Sequence, residues 1–162
     1  MKVISNTSPL INLARIGQLD LLRDLFDGLV VPEAVWRECV IDGEGKPGAA
    51  AIRTADWIAI QSVTNLALVQ ALRQELDAGE AEAIALGLQE SADLLLMDER
   101  LGRDTARHFN LRCMGLIGVL ILAKQHGSIE RIKPYLDQLQ NEAGFRVAHP
   151  LYTQVLFDAG EA

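Results

Sequence analysis

Five short apolar runs constrain this chain more than any other feature. They are Val3-Ile4-Ser5, Gly28-Leu29-Val30-Val31, Trp57-Ile58-Ala59-Ile60, Leu94-Leu95-Leu96-Met97 and the stretch from Leu111 to Met114. Each is too short for a stable helix, and each is followed by a longer stretch with helical spacing. The runs are continuously apolar rather than alternating, which is the pattern of strands buried on both faces. Strands that alternate with helices build a parallel sheet covered on both sides. The chain is therefore expected to be α/β, with a parallel central sheet of about five strands. In such sheets function gathers beyond the carboxyl ends of the strands. Asn6, Pro32, Asp98 and Gly115 all lie just past those ends.

The intervening segments read as helices. Asn6-Thr7-Ser8-Pro9 supplies capping residues and an early proline, and Leu10, Ile11, Leu13 and Ala14 continue as an apolar stripe. Further helices are expected at about 18–26, 32–40, 66–76, 79–90, 101–109, 116–125 and 130–141, with a short Ala-rich helix before Trp57. Residues 42–48, rich in Gly, Asp and Pro, read as a loop. The tail from Pro150 to Phe157 reads as a strand or an extended arm. There is no internal repeat and no low-complexity tract.

With 162 residues, one domain over 1–162 is expected. Hydrophobic residues at 49% and charged residues at 23% give an ordinary globular balance, which argues against disorder. No apolar run reaches the length of a membrane helix, and the N-terminus turns polar too soon for a signal peptide. A cytoplasmic location with no membrane partner is the expectation. Cys39 and Cys113 read as reduced thiols among apolar neighbours. His108, His126 and His149 are too scattered for a zinc motif. The net charge of −7 counts against a broad, non-specific nucleic-acid surface. It suits a small acidic site, because clustered carboxylates are what a divalent cation needs.

Asp98, directly after four apolar residues, is the strongest candidate for chemistry; the alternative is a helix cap for the segment behind it. Glu38 falls within the apolar face of its helix, where a carboxylate is costly unless paired; a salt bridge to Arg15 or Arg23 is the alternative. Glu80 sits at the border of a buried stripe of Ala81, Ile84, Ala85 and Leu88, in a first turn that favours the ionised form. Glu82, further round, reads with Glu80 alternatively as a solvated helix-start acid, and Glu33 as an ordinary first-turn acid. Leu101, Thr105, Ala106 and Phe109 are expected to form the buried stripe of their helix. That leaves Asp104 on the polar side with Arg100, Arg103 and Arg107. These arginines are candidates for phosphate contact or for simple solvation. There is no glycine-rich phosphate loop and no nucleophile motif.

The segments Val3-Ile4-Ser5-Asn6-Thr7-Ser8-Pro9-Leu10-Ile11, Val31-Pro32-Glu33-Ala34-Val35-Trp36-Arg37-Glu38, Gly79-Glu80-Ala81-Glu82-Ala83-Ile84-Ala85-Leu86 and Leu95-Leu96-Met97-Asp98-Glu99-Arg100 together resemble the PIN-like family. The resemblance is to its branch of nucleic-acid-binding proteins related to the toxin nucleases of toxin–antitoxin pairs, and spans about residues 3–127, leaving 128–162 as a C-terminal helix and tail. It implies a three-layer α/β/α fold and cleavage of RNA phosphodiesters with Mg²⁺ or Mn²⁺. Carried over, the family's acidic positions are Asn6, Glu38, Glu80 and Asp98, with Glu82, Glu99 or Asp104 as further ligands. Arg100, Arg103 and Arg107 would hold the RNA, an antitoxin protein would be a partner, and a homodimer is implied. The apolar helices around residues 10–26 are the expected contact surface. Residue 6 departs from the pattern: an Asn carbonyl can bind a metal but brings no charge and takes no proton. The leading expectation is a metal-dependent endoribonuclease, with Glu38, Glu80 and Asp98 catalytic. Its rival is a weak or inactive module that binds RNA or a protein. A receiver-like phosphate domain is disfavoured, because Ser5-Asn6 is not a pair of acids.

Overall fold

A computed structural model describes residues 1–162. The five apolar runs form strands β1 (Val3–Ser5), β2 (Leu29–Pro32), β3 (Ile58–Gln61), β4 (Leu94–Leu96) and β5 (Cys113–Met114), in the order β3-β2-β1-β4-β5. Every neighbouring pair is parallel. The order runs outward in both directions from β1 and β4, so the topological switch point lies between these two strands. Parallel α/β sheets place their ligands in the crevice at that point.

Ten helices cover the sheet: α1 (Thr7–Arg15), α2 (Asp20–Phe26), α3 (Glu33–Trp36), α4 (Ala49–Thr54), α5 (Leu66–Leu72), α6 (Ala78–Gln89), α7 (Arg100–His108), α8 (Leu116–His126), α9 (Lys133–Glu142) and α10 (His149–Asp158). Successive strand residues point to opposite faces. Val3, Leu29, Val31, Leu94 and Leu96 pack into one apolar cluster with side chains from α1 to α4 and α8 to α10. Ile4, Leu95 and Met97 pack into a second cluster with α6 and α7. The result is the expected three-layer α/β/α arrangement, with strands buried on both faces.

Three expectations fail. The tail is a helix, α10, not a strand or arm. Its β-branched and aromatic residues suggested a strand, but packing overrides that preference. Val155 and Leu156 are buried on the domain, and the Tyr152 hydroxyl donates to Asp137 at 2.6 Å. Glu161, just beyond, anchors this end: its carboxylate accepts from the N–H groups of Ile132 and Lys133 at 2.8 and 2.9 Å and pairs with Lys124. Secondly, α7 is rotated relative to the expected stripe. Leu101 is 49% exposed and Gly102 is buried in its place, while Ala106 is buried as expected. The cause is Gly102, whose missing side chain lets the helix settle onto Met97. A Cβ there would lie 2.6 Å from Met97 Sδ. Thirdly, Leu10, Leu13, Leu19, Leu21, Leu22 and Phe26 are buried in the chain's own core. The apolar content of α1 and α2 is used largely inside the domain, so it is no argument for a partner surface there.

Candidate functional site

β1 ends in Asn6, whose backbone N–H donates to Leu96 O on β4 at 2.9 Å. Asn6 is 3% exposed, and its Oδ1 is buried with no donor. β4 leads through Met97 to Asp98. One carboxylate oxygen of Asp98 accepts the N–H of Leu116, the first residue of α8, at 2.8 Å; the other is buried without a partner. Asp98 is thus a helix cap, but for α8 rather than for α7, which follows it in sequence. Only one of its oxygens is used that way. Burial pushes the Asp98 carboxyl up to about 6, against the Leu116 N–H and the Arg103 guanidinium, which lower it, while Glu99 adds to the rise.

Glu38 reaches the site from the other side of β1. α3 continues directly into a π-helical turn, Arg37–Ile41, closed by Asp42 N–H donating to Arg37 O at 2.8 Å. Such turns are rare and occur frequently at functional sites. The half-buried Glu38 carboxylate accepts from the Thr7 hydroxyl at 2.7 Å. Neither expected arginine pairs with it: Arg23 lies beside Asp20, and Arg15 donates to Ala143 O. Gly79, in the first turn of α6, lies between Glu38 and Asn6. A Cβ on Gly79 would sit 3.0 Å from both Asn6 Oδ1 and Glu38 Oε1, so at most twice that distance separates these two oxygens. Only a residue without a side chain leaves that gap open.

The other predicted acids are less available. Glu80 closes a capping box with Asp77: its carboxylate accepts Asp77 N–H at 3.1 Å, and Asp77 accepts Glu80 N–H at 2.8 Å. Its second oxygen faces Gly102 of α7. Burial raises Glu80 to about 7; the Asp77 N–H lowers it, and the charges of Asp77 and Glu99 add to the rise. Glu82 accepts the Ala34 N–H at 3.1 Å and so caps α3. Glu33 accepts from the Ser62 hydroxyl. Asp104 is on the surface beside Arg100 and Arg107, at 3.8 and 3.4 Å. Glu99 is exposed at the start of α7.

Arg103 is the residue that sequence reasoning ranked too low. It was grouped with Arg100 and Arg107 on a polar face, but the rotation of α7 turns it inward. It is half-buried, makes no ion pair, and its Nε is buried without a partner. The position where a Gly115 Cβ would stand is 2.7 Å from Asp98 Oδ1 and 3.4 Å from Arg103 Nη1. The signal that could have found it is Gly102, a residue with no side chain where the helix approaches the sheet.

No three His, Cys, Asp or Glu side chains converge closely enough to make a ready ligand set. Asn stands where a carboxylate was expected, and Glu80 is folded onto its own helix start. The remaining donors nevertheless fit a hard divalent cation. They are all oxygen, and Asn6 Oδ1 and Asp98 Oδ2 are buried acceptors that nothing in the protein satisfies. Asn6, Glu38 and Asp98 are the residues that can hold one. Cys39 is no nucleophile, since burial and the nearby Glu38 charge push its thiol up to about 12. All three histidines are exposed.

These features define a parallel α/β domain with an oxygen-rich cleft at its switch point. The chain belongs to the PIN domain family, whose model matches residues 2–161, well beyond the segment that carries the sequence resemblance. PIN domains are generally nucleases that depend on divalent metals. The chain is similar to a solved PilT N-terminus domain protein from the hyperthermophilic archaeon Sulfolobus solfataricus P2. That similarity has 14% identity and a TM-score of 0.49, covering 92% of this chain and 99% of that one. No curated protein matches the chain. No helix is long and apolar enough to cross a membrane.

Proposed function

We propose that this protein is a metal-dependent endoribonuclease with Asn6, Glu38 and Asp98 around one Mg²⁺ or Mn²⁺. The observation that carries the proposal is the pair of buried, unpartnered acceptors at the ends of the two central strands. When bound, the ion would lower the pKa of a water and stabilise charge on the phosphate. The Thr7 hydroxyl holds the Glu38 carboxylate in orientation. The Leu116 N–H fixes one oxygen of Asp98 and leaves the other free. Glu80 stays off the ion, its oxygen held on Asp77 N–H. Arg103 is the cation for the scissile phosphate. Arg100 and Arg107, engaged with Asp104, are left to guide the strand from the surface. A toxin role in the cytoplasm, opposed by an antitoxin protein, extends this reading on the family resemblance alone.

A second reading rests on a specific observation: the neutral Asn6 and the missing three-carboxylate group favour a module that binds RNA without cutting it. Incubating a panel of RNAs with Mg²⁺ or Mn²⁺ separates the two. The nuclease reading expects cleavage by the native chain and at least a hundredfold loss in Asp98→Ala. No cleavage by either chain selects the second; equal cleavage by both removes Asp98 from the site and overturns the nuclease reading as stated.

A further inference from the structure

A hollow of about 430 Å³ is lined in part by Asp98 and Arg103. Its size is within the range of small-ligand sites, roughly 300–1,000 Å³. One wall is polar, formed by Asp98 and Arg103. The rest of the lining includes apolar side chains, Ile117 of α8, Phe145, and Leu151 of α10. Gly115 also lines the hollow and puts no side chain into the space. Arg103 is a half-buried guanidinium with no acid partner, and its Nε has nothing to donate to. Leu151 is a large apolar side chain left 48% exposed. A guanidinium that makes no ion pair thus stands next to an apolar surface that lacks a cover, in the same hollow as Asp98.

We propose that this hollow is a nucleotide subsite: Arg103 holds a phosphate of the RNA strand, and the adjoining base lies unpaired against Ile117, Phe145 and Leu151. A nucleotide has both chemistries, an anion on one side and a flat, mostly apolar face on the other. A base within a duplex presents only its edges, so the subsite demands a single strand. The C-terminal segment carrying Phe145 and α10 therefore belongs to the substrate-binding surface. This inference rests on the nuclease reading for its substrate class, but its test needs no cleavage.

The experiment is fluorescence anisotropy of a labelled single-stranded RNA, and of the same strand in a duplex, with the full chain at low salt in chelator. The native chain is expected to bind the single strand at least tenfold more tightly than the duplex. Leu151→Ser is expected to lose about fivefold in single-strand affinity, and Arg103→Gln about tenfold. Leu66→Ser, at a still more exposed leucine on α5 outside the hollow, should bind as the native chain does. Both leucines are exposed, so melting temperatures should be unchanged. Equal affinity for single strand and duplex overturns the proposal. So does native affinity in Leu151→Ser, or no binding of any RNA. If single-strand binding shows the expected sensitivities but Mn²⁺ brings no cleavage, the subsite stands and the nuclease reading falls.

Discussion

Replacing Gly79 with Ala tests the geometry of the cleft without touching any proposed ligand. The added Cβ would stand 3.0 Å from Asn6 Oδ1 and 3.0 and 3.2 Å from the two Glu38 oxygens, closer than ordinary contact by a few tenths of an ångström. Both groups must give way by about that amount. Reactive groups need placement to within about 0.5 Å, and a displacement of about 1 Å costs on the order of a hundredfold in rate. Metal affinity and cleavage should therefore fall by about tenfold to a hundredfold. Stability should barely move. Ala in place of Gly favours the helix by roughly 0.5–1 kcal/mol, and the crowding costs about 1 kcal/mol or slightly more. The melting temperature should then shift by no more than about 4 °C. The assays are calorimetric titration with Mn²⁺, cleavage of a single-stranded RNA, and a thermal melt. Native metal affinity and cleavage in a folded Gly79→Ala chain would refute the reasoning, since the Asn6–Glu38 gap would then have no part in the site.

Other substitutions probe other parts of the account. Asn6→Asp adds the missing charge opposite Asp98 and should tighten Mn²⁺ binding by about tenfold, read by calorimetry; unchanged affinity would place the ion elsewhere. Asp77→Ala removes the cap of α6 and should cost about 1 kcal/mol in urea unfolding. Glu161→Gln should cost about 2 kcal/mol at neutral pH, because charge-assisted bonds to two N–H groups and Lys124 are weakened. Withdrawal from water raises the pKa of Glu161, but the Ile132 and Lys133 N–H groups and Lys124 outweigh it and bring it down to about 2 from the ordinary 4.5. A lowered carboxyl pKa stabilises the fold above the ordinary value, and the effect is lost as pH falls through the folded one. The native chain and Glu161→Gln should therefore converge in stability between about pH 5 and pH 2. A constant difference across that window would contradict the anchoring role.

The sheet was legible because its signal is local. A run such as Leu94-Leu95-Leu96-Met97 is apolar on both faces, and only a covered parallel strand accepts that. Asp98 and Glu38 stood out for the same reason, each a polar residue placed against an apolar pattern, whereas Asn6 entered as a ligand only through the family resemblance. What failed depended on distant contacts. Nothing near Pro150 reveals that Val155 and Leu156 will find cover, so the tail did not read as a helix. Periodicity on α7 favoured Leu101 as buried, whereas the close approach of Gly102 to Met97 turned the helix and brought Arg103 inward. Glu80 looked like a free acid because its partner, Asp77, lies before the residue where the helix was expected to start. The hollow between Asp98 and Leu151 joins residues from α7, β5, α8 and α10 and has no sequence signature.

The central claim is that the unpartnered oxygens of Asn6 and Asp98 belong to a divalent metal site. Titration of Mn²⁺ into the native chain and into Asp98→Asn, followed by calorimetry, tests it most directly. The account predicts saturable binding of one ion by the native chain and at least a tenfold weaker isotherm for Asp98→Asn, with the melting temperature of the native chain raised by the metal. An absence of saturable binding, or the same isotherm for both chains, would contradict it.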